Sequence, residues 1–448
     1  MNIKENLKKH QFKIITIIFA LIAFLICFYF TKNINSLRAP DEPMRYLIPQ
    51  YIFTHNTLPI GNETSVVDIH WGYSYGYLPY ITSLIAVFFM KIAALINFDI
   101  TRASRLVSVF SVVGTCLFSM AIGKEVFKKK STTYLFTALV VFLPQFIFLG
   151  VYFNNDAFSI FVSSMIIFSW IMGLKNNWPW KICVLLGISI GLMSLTYYNA
   201  YAYILCSIFI FVISFYKNNK GDWNTFIKKG SVIFLIAFII GGWFFIRNAI
   251  LHNGDFLGMN TTETASELYG NMTLKPSARI TPFSKNLSFY DAFFIPFNGQ
   301  KFNWITTTIF SFIGFFGRLE FAINAIFYRI YEILIVCGII GFLISLPKIL
   351  KRDKFNKILL YVSFLICMII PIVLSMYNSY YSDFQPQGRY IMSMLIPLMF
   401  CVSIGLSKIT EKLKEYIKID LVYLIIIAYI MLLIVIIQKY FPMMYSLH

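Results

Sequence analysis

The sequence predicts an all-α polytopic membrane protein of about eleven transmembrane helices, with non-spanning helices at its outer face. Three observations predict it. Hydrophobic residues make up 58% of the 448 and charged residues only 13%, against about 25% charged in a soluble domain. Mean hydropathy is +0.71, and the apolar residues form continuous runs instead of the alternation of barrel strands. Net charge is +18, and most of it lies between the runs, as in cytoplasmic loops. A soluble enzyme and a disordered chain are both excluded. The expected partner is the bilayer, with no nucleic acid.

The first element is a basic start (MNIKENLKKHQFK) followed by an apolar run from Ile14. No small-x-small site follows it, so the expectation is an uncleaved span with its N-terminus inside. Thirteen apolar runs follow one another along the chain, but charge parity removes two of them. If residues 78–97 crossed, Lys124 and Lys128–Lys130 would lie outside. If residues 304–325 crossed, the KILKRDKFNK loop would too. Both stretches are therefore expected to be juxtamembrane or re-entrant at the outer face, the second interrupted by Gly314, Gly317, Arg318 and Glu320. Spans are then expected to start near residues 14, 104, 131, 157, 181, 199, 230, 326, 357, 391 and 420, with the C-terminus outside. The outer loops are residues 31–101, 252–325 and 377–388. Three parts follow: 1–250, a transmembrane module with the first outer loop; 251–325, an extracytoplasmic loop with an interfacial helix; and 326–448, the C-terminal transmembrane helices. The seven cysteines lie in apolar runs, so neither disulfides nor a thiolate metal site is expected. Trp178, Trp180 and Trp243 read as an interfacial aromatic belt.

Within this topology the arginines separate from the lysines. Of ten arginines only Arg352 falls in an inner loop. Lysine is enough to set topology, whereas the planar fork of arginine holds phosphate or carboxylate oxygens in fixed geometry. Arginines on the outer side suggest an anionic headgroup bound there, although a single arginine can also snorkel.

Three outer motifs could carry chemistry. RAPDEPMRYLIPQ (residues 38–50) places Asp41 and Glu42 between two prolines and two arginines. Stiff turns and flanking cations suit a carboxylate base, or equally an interfacial helix cap. VYFNNDAFSI (residues 151–160) places Asn155 and Asp156 before an apolar run, which is also a helix-start signal. QPQGRYIMSMLIP (residues 385–397) places Gln387, Gly388, Arg389 and Tyr390 at a span end. Arg389 with Arg45, and the Arg102/Arg105 pair one turn apart, could clamp a phosphate. No histidine metal spacing, phosphate loop, nucleophile elbow or dinucleotide fingerprint is present. No cofactor is expected, and nothing supports a divalent metal.

In order and spacing these motifs resemble the GT-C class of membrane glycosyltransferases, specifically the protein mannosyltransferase and lipid A aminoarabinose transferase relatives. Closer is a bacterial multi-pass family with Pro-Asp-Glu-Pro, here Pro40-Asp41-Glu42-Pro43, an Asn-Asp element, and Gln-Gly-Arg-Tyr, here Gln387 to Tyr390. That family often has histidine where this chain has Arg45. The resemblance implies a GT-C fold and an inverting transfer from a polyprenyl-phosphate sugar at the outer leaflet. Asp41 would be the base, and Asp156 and Glu42 would assist. Arg45, Arg389, Arg102 and Arg105 would hold the donor phosphate, and Asn155, Tyr390 and Gln387 would contact substrate. A composition rich in Lys, Ile, Phe and Asn suggests a bacterial plasma membrane. Acceptors would then be cell-wall polymers such as teichoic acid, lipoteichoic acid or another envelope glycan. The alternatives are a transporter or flippase of a lipid-linked or anionic substrate, and a non-catalytic relative. The first is disfavoured because the span middles carry almost no ionisable residue.

Overall fold

The structure, a computed structural model, describes residues 3–218, 221–351, 354–418 and 420–445. Arg352, the one arginine expected in an inner loop, lies outside the described residues. In chain order the helices are α1 (Ile3–Phe30), α2 (Glu42–His55), α3 (Ile81–Leu95), α4 (Ile100–Ser104), α5 (Leu106–Val126), α6 (Lys130–Val141) and α7 (Pro144–Leu149). Next come α8 (Asp156–Asn176), α9 (Trp180–Ser194), α10 (Ala202–Asn218), α11 (Trp223–Ala237), α12 (Trp243–Leu251) and α13 (Met259–Tyr269). The last are α14 (Phe289–Phe294), α15 (Trp304–Gly314), α16 (Ala325–Leu350), α17 (Lys354–Tyr381), α18 (Leu395–Ile417) and α19 (Leu421–Tyr440). One antiparallel pair of two-residue strands, β1 (Phe315–Phe316) and β2 (Phe321–Ala322), closes a turn after α15.

Among the described residues nine helical stretches are long and apolar enough to cross a membrane. They coincide with nine of the eleven expected spans. The other two are shorter. The run near residue 131 is split into α6 and α7 because Pro144 has no N–H to donate and Leu143 before it is extended (ψ 128°). The run near 181 is α9, only 15 residues, where about 20 span the hydrocarbon. The two stretches expected not to cross, α3 and α15, have 15 and 11 residues. Length alone does not separate α3 from α9. Gly187 and Gly191 let α9 lie directly on the backbone of α11, the close approach that small residues allow between membrane helices. A π-turn at Phe238–Gly242 joins α11 to α12, where Gly241 meets Ser194.

The bundle has a centre and a rim. The central window of α8 is 83% buried, whereas that of α1 is 17% buried, so α8 is the core and α1 faces outward. Ile17, Leu21 and Leu25 of α1, Phe234 and Ile239 around α11, and Ile344 of α16 are exposed apolar groups, a surface suited to lipid and not to water. Indole N–H groups in the core find hydroxyls: Trp170 donates to Ser207 Oγ at 2.9 Å and Trp178 to Ser214 Oγ at 2.8 Å. Trp178, expected in an interfacial belt, is fully buried. The C-terminus of α1, the start of α2, the N-termini of α5 and α8, and the segment before α18 converge at one end of the bundle, and this end holds the candidate site.

Candidate functional site

The site begins with one backbone conformation. Asp41 stands at the head of α2 with φ 58° and ψ −3°, the left-handed region, and makes no side-chain capping bond to the helix. Aspartate and asparagine tolerate this conformation better than most residues. The turn separates the two adjacent acids: Asp41 faces the arginines, and Glu42 enters the core.

Asp41 Oδ2 lies 3.0 Å from Arg389 Nη1 and 3.9 Å from Arg45 Nη2, and it accepts a hydrogen bond from the Tyr75 hydroxyl. Burial alone would raise the Asp41 pKa, but the two guanidinium charges and these hydrogen bonds hold it below the usual carboxylate range. Asp41 is therefore ionised at neutral pH. Burial and the Asp41 charge push the Tyr75 pKa well up, so Tyr75 keeps its proton and donates. Tyr73, hydrogen-bonded to Tyr75, is pushed up to about 12 by burial first and by Asp41 second.

Each arginine is positioned differently. Arg389 is 6% exposed; its Nε donates to Gln387 Oε1 at 2.7 Å and its Nη2 to Tyr390 Oη at 3.0 Å. The Tyr390 hydroxyl in turn donates to Gln385, and the Gln385 amide donates to Asp383. Tyr390 stacks on Tyr197 with centroids 6.5 Å apart. Arg45 lies over the Tyr75 ring at 4.1 Å, and its Nε is buried with no hydrogen-bond partner among the described residues. Such an unmatched donor is costly unless something else fills it. Asp156, 3% exposed at the first turn of α8, lies within the electrostatic reach of Arg389, Arg45 and Asp41.

Four residues expected at the site are committed elsewhere. Glu42 and Arg105 form a two-pronged pair, Oε1–Nε 2.8 Å and Oε2–Nη2 2.6 Å, with side chains 2% and 5% exposed. Glu42 Oε1 also accepts Phe153 N–H at 2.7 Å, and Arg105 Nη1 donates to the carbonyls of Ile34 and Thr31. This staple ties α1, α2, α5 and the approach to α8, so Arg105 has no free face for phosphate and Glu42 none for an acceptor. Arg102 donates to Thr31 Oγ1 at 2.8 Å and Phe28 O at 3.1 Å between the rings of Phe28 and Phe98. Asn155 donates to Thr196 O at 3.2 Å and accepts from Thr82. It braces α3 against the turn after α9 instead of reaching a substrate. Asn154 holds the α8 start by accepting Ala157 N–H at 2.9 Å.

Tyr73 and Tyr75 escape the sequence reasoning. Their only signal is the alternation Tyr73-Ser74-Tyr75-Gly76-Tyr77, which puts Tyr73 and Tyr75 on one side of an extended segment. Gly388 has a packing role. Its N–H donates to Ser311 Oγ at 2.6 Å, and a Cβ there would lie 2.1 Å from Phe312 N. Gly388→Ala is expected to push the Arg389 segment off α15 and cost about 1–3 kcal/mol, read as a lower melting temperature in detergent. An unchanged melting temperature would show that the contact is not tight. Among the described residues no three His, Cys, Asp or Glu side chains come together to hold a metal ion.

Residues 79–243 match the family described as dolichyl-phosphate-mannose-protein mannosyltransferase. That stretch contains Asp156 but neither Asp41 nor Arg389. No curated protein matches the chain. Two solved structures share its fold. Oligosaccharyltransferase AglB from Archaeoglobus fulgidus, solved with an inhibitory peptide and a dolichol-phosphate, superposes with a TM-score of 0.57 at 14% identity. The match covers 98% of this chain and 55% of that one. ArnT from Cupriavidus metallidurans, bound to undecaprenyl phosphate, gives 0.51 at 13% identity over 87% of this chain and 59% of that one. The chain thus spans a little over half the length of each. A bundle of this topology, with its buried charge gathered at one end, has the GT-C fold of multi-pass membrane proteins.

Proposed function

We propose that the protein is a membrane glycosyltransferase that moves a sugar from a polyprenyl-phosphate donor to an envelope acceptor at the outer leaflet of a bacterial plasma membrane. The observation that carries this reading is an ionised carboxylate, Asp41, held between two arginines of which one, Arg45, has a buried donor without a partner among the described residues. In the reaction an acceptor hydroxyl gives its proton to Asp41. Its oxygen bonds to the anomeric carbon from the face opposite the phosphate, and the carbon–oxygen bond to phosphate breaks with its electron pair on phosphate. Arg45 and Arg389 offset the charge that develops there. A bound phosphate draws both cations away from Asp41, so the base strengthens once the donor is in place. Asp156, Gln387 and Tyr390 hold Arg389 and its surroundings.

Two further features support the reading. An apolar groove of about 450 Å³ between α9, α10 and α11 is lined by Ile190, Ile208 and Phe238 and also by Ser194. That is two residues from Thr196, whose carbonyl Asn155 holds, so a prenyl chain there would run toward the site. Among the described residues the buried charged side chains are Glu42, Arg105, Asp156 and Arg389. All lie at the Asp41 end, which is the arrangement of surface chemistry and not of a polar path through the bilayer.

The test is transfer from a panel of radiolabelled polyprenyl-phosphate sugars in membranes carrying matched amounts of wild type and Arg45→Gln. Wild-type transfer lowered roughly 10²–10³-fold by the substitution is expected. Equal transfer in both would remove Arg45 from the donor site.

A further inference from the structure

A cleft of about 960 Å³ opens beside Tyr73, between α13, the turn at Pro276–Ala278 and the end of α17. It lies at the large end of the range that holds a drug-sized ligand, roughly 300–1,000 Å³, so it has room for more than one sugar ring. Tyr73 connects it to the base, because Tyr73 bonds to Tyr75 and Tyr75 to Asp41.

Its walls have a definite chemistry. Tyr73, Tyr198 and Tyr381 line the cleft. The Tyr198 hydroxyl is fixed to Leu257 O at 2.5 Å, and Tyr381 packs on Tyr377 and Tyr380 with centroids 4.8 Å apart in each case. Glu263 and Glu267 lie one helical turn apart on α13 and both line the cleft. Glu267 is engaged by Ser277 through N–H at 3.0 Å and Oγ at 2.6 Å. Glu263 has no hydrogen bond or ion pair among the described residues. The one cation in the lining, Arg279, donates from Nε to Leu274 O at 3.1 Å and from Nη2 to Ser266 Oγ at 3.4 Å, lies over Trp71 at 5.6 Å, and with Lys275 favours the charged form of Glu267. A second cavity of about 420 Å³ shares the lining residue Arg279 with the cleft and is also lined by an acid, Asp383.

We propose that this cleft binds the acceptor and that the acceptor is an uncharged oligosaccharide. The inference rests on the glycosyltransferase reading above. A carboxylate only accepts hydrogen bonds, and sugar hydroxyls can donate to it. Apolar ring faces of a sugar match tyrosine faces. A phosphodiester polymer brings anions against Glu263, a carboxylate in the cleft wall with no ion pair among the described residues, so like-charge repulsion disfavours it. Teichoic-acid-type polymers, expected from composition, are therefore set aside in favour of a neutral glycan.

The test uses the purified full chain in detergent, immobilised and offered three probe sets: neutral hexose and N-acetylhexosamine oligosaccharides, glycerol phosphate oligomers, and Ser/Thr-containing peptides. Neutral oligosaccharides are expected to be retained, and Glu263→Gln and Tyr381→Ala are each expected to weaken retention roughly tenfold. Glu263 is exposed on α13, so Glu263→Gln leaves the fold intact, and Tyr381→Ala is read beside its melting temperature because its ring packs on Phe283, Tyr377 and Tyr380. Preferential retention of glycerol phosphate oligomers or peptides, retention of nothing, or retention indifferent to both substitutions would each overturn the assignment. Undecaprenyl phosphate binding by the same preparation reports the donor site. Donor binding without glycan binding defeats only the acceptor assignment, and glycan binding without donor binding defeats the donor reading instead.

Discussion

Asp41→Asn is expected to lower sugar transfer by roughly 10²–10⁴-fold, the contribution of a positioned general base, while leaving the protein folded. Asparagine suits the φ of 58° at this position, and its amide oxygen can go on accepting from Arg389 and Tyr75. What it cannot do is take a proton. Removing the negative charge also frees Arg45 and Arg389 for phosphate, so donor affinity should hold or tighten while turnover falls. A substitution that merely loosened the site would weaken both. The pH profile adds a second readout. The Asp41 pKa is depressed in the donor-free protein, so at low donor concentration wild-type transfer should be lost only as pH falls through that depressed value, whereas at saturating donor, with the arginines drawn to phosphate, it should be lost at higher pH. The same sign governs stability. The ion pairs with Arg389 and Arg45 stabilise the fold above the unfolded-state pKa of the carboxyl and fade as pH drops through its folded value. The melting difference between wild type and Asp41→Asn should therefore be present at neutral pH and vanish in acid. Initial transfer rates and melting curves across pH decide it. Transfer unchanged by the substitution would take Asp41 out of the mechanism.

The span positions were legible because hydropathy and loop charge are local properties, and every apolar run is visible without knowing its neighbours. The break at Pro144 was not read, because a run of apolar residues on both sides reads as one span unless the missing N–H is weighed. The motifs that meet at the site stood out as short polar islands between apolar runs. Their division of labour did not. Asp41 and Glu42 are adjacent carboxylates with nearly the same flanks, and only the left-handed turn at Asp41 sends one to the arginines and the other to Arg105. Arg102 and Arg105 looked as available as Arg45 and Arg389, because a guanidinium is free or spent according to partners such as Glu42 and Thr31, which are 63 and 71 residues away. The partners of Asn155 were hidden for the same reason, since Thr82 and Thr196 come from two other segments.

Loss of the Glu42–Arg105 staple should be the most damaging single change to the fold. Both side chains are almost wholly buried, and each oxygen of Glu42 is bonded. Arg105→Met leaves a buried carboxylate with only the Phe153 N–H, and Glu42→Met leaves a buried guanidinium with only the carbonyls of Thr31 and Ile34. Each is expected to cost about 3–5 kcal/mol, because an uncompensated buried charge is far more expensive than the pair is favourable. The double substitution removes both charges and should recover much of the loss, giving a coupling that two independent sites would not show. Melting in detergent of the two single variants and the double variant measures it; a double variant as unstable as the sum of the singles would mean that the pair is not coupled. Glu42→Gln adds the functional half. It keeps an acceptor for Phe153 and the shape of the head of α2, so any folded fraction should retain transfer if Glu42 acts only as an anchor. A folded Glu42→Gln protein without transfer would return Glu42 to the chemistry beside Asp41.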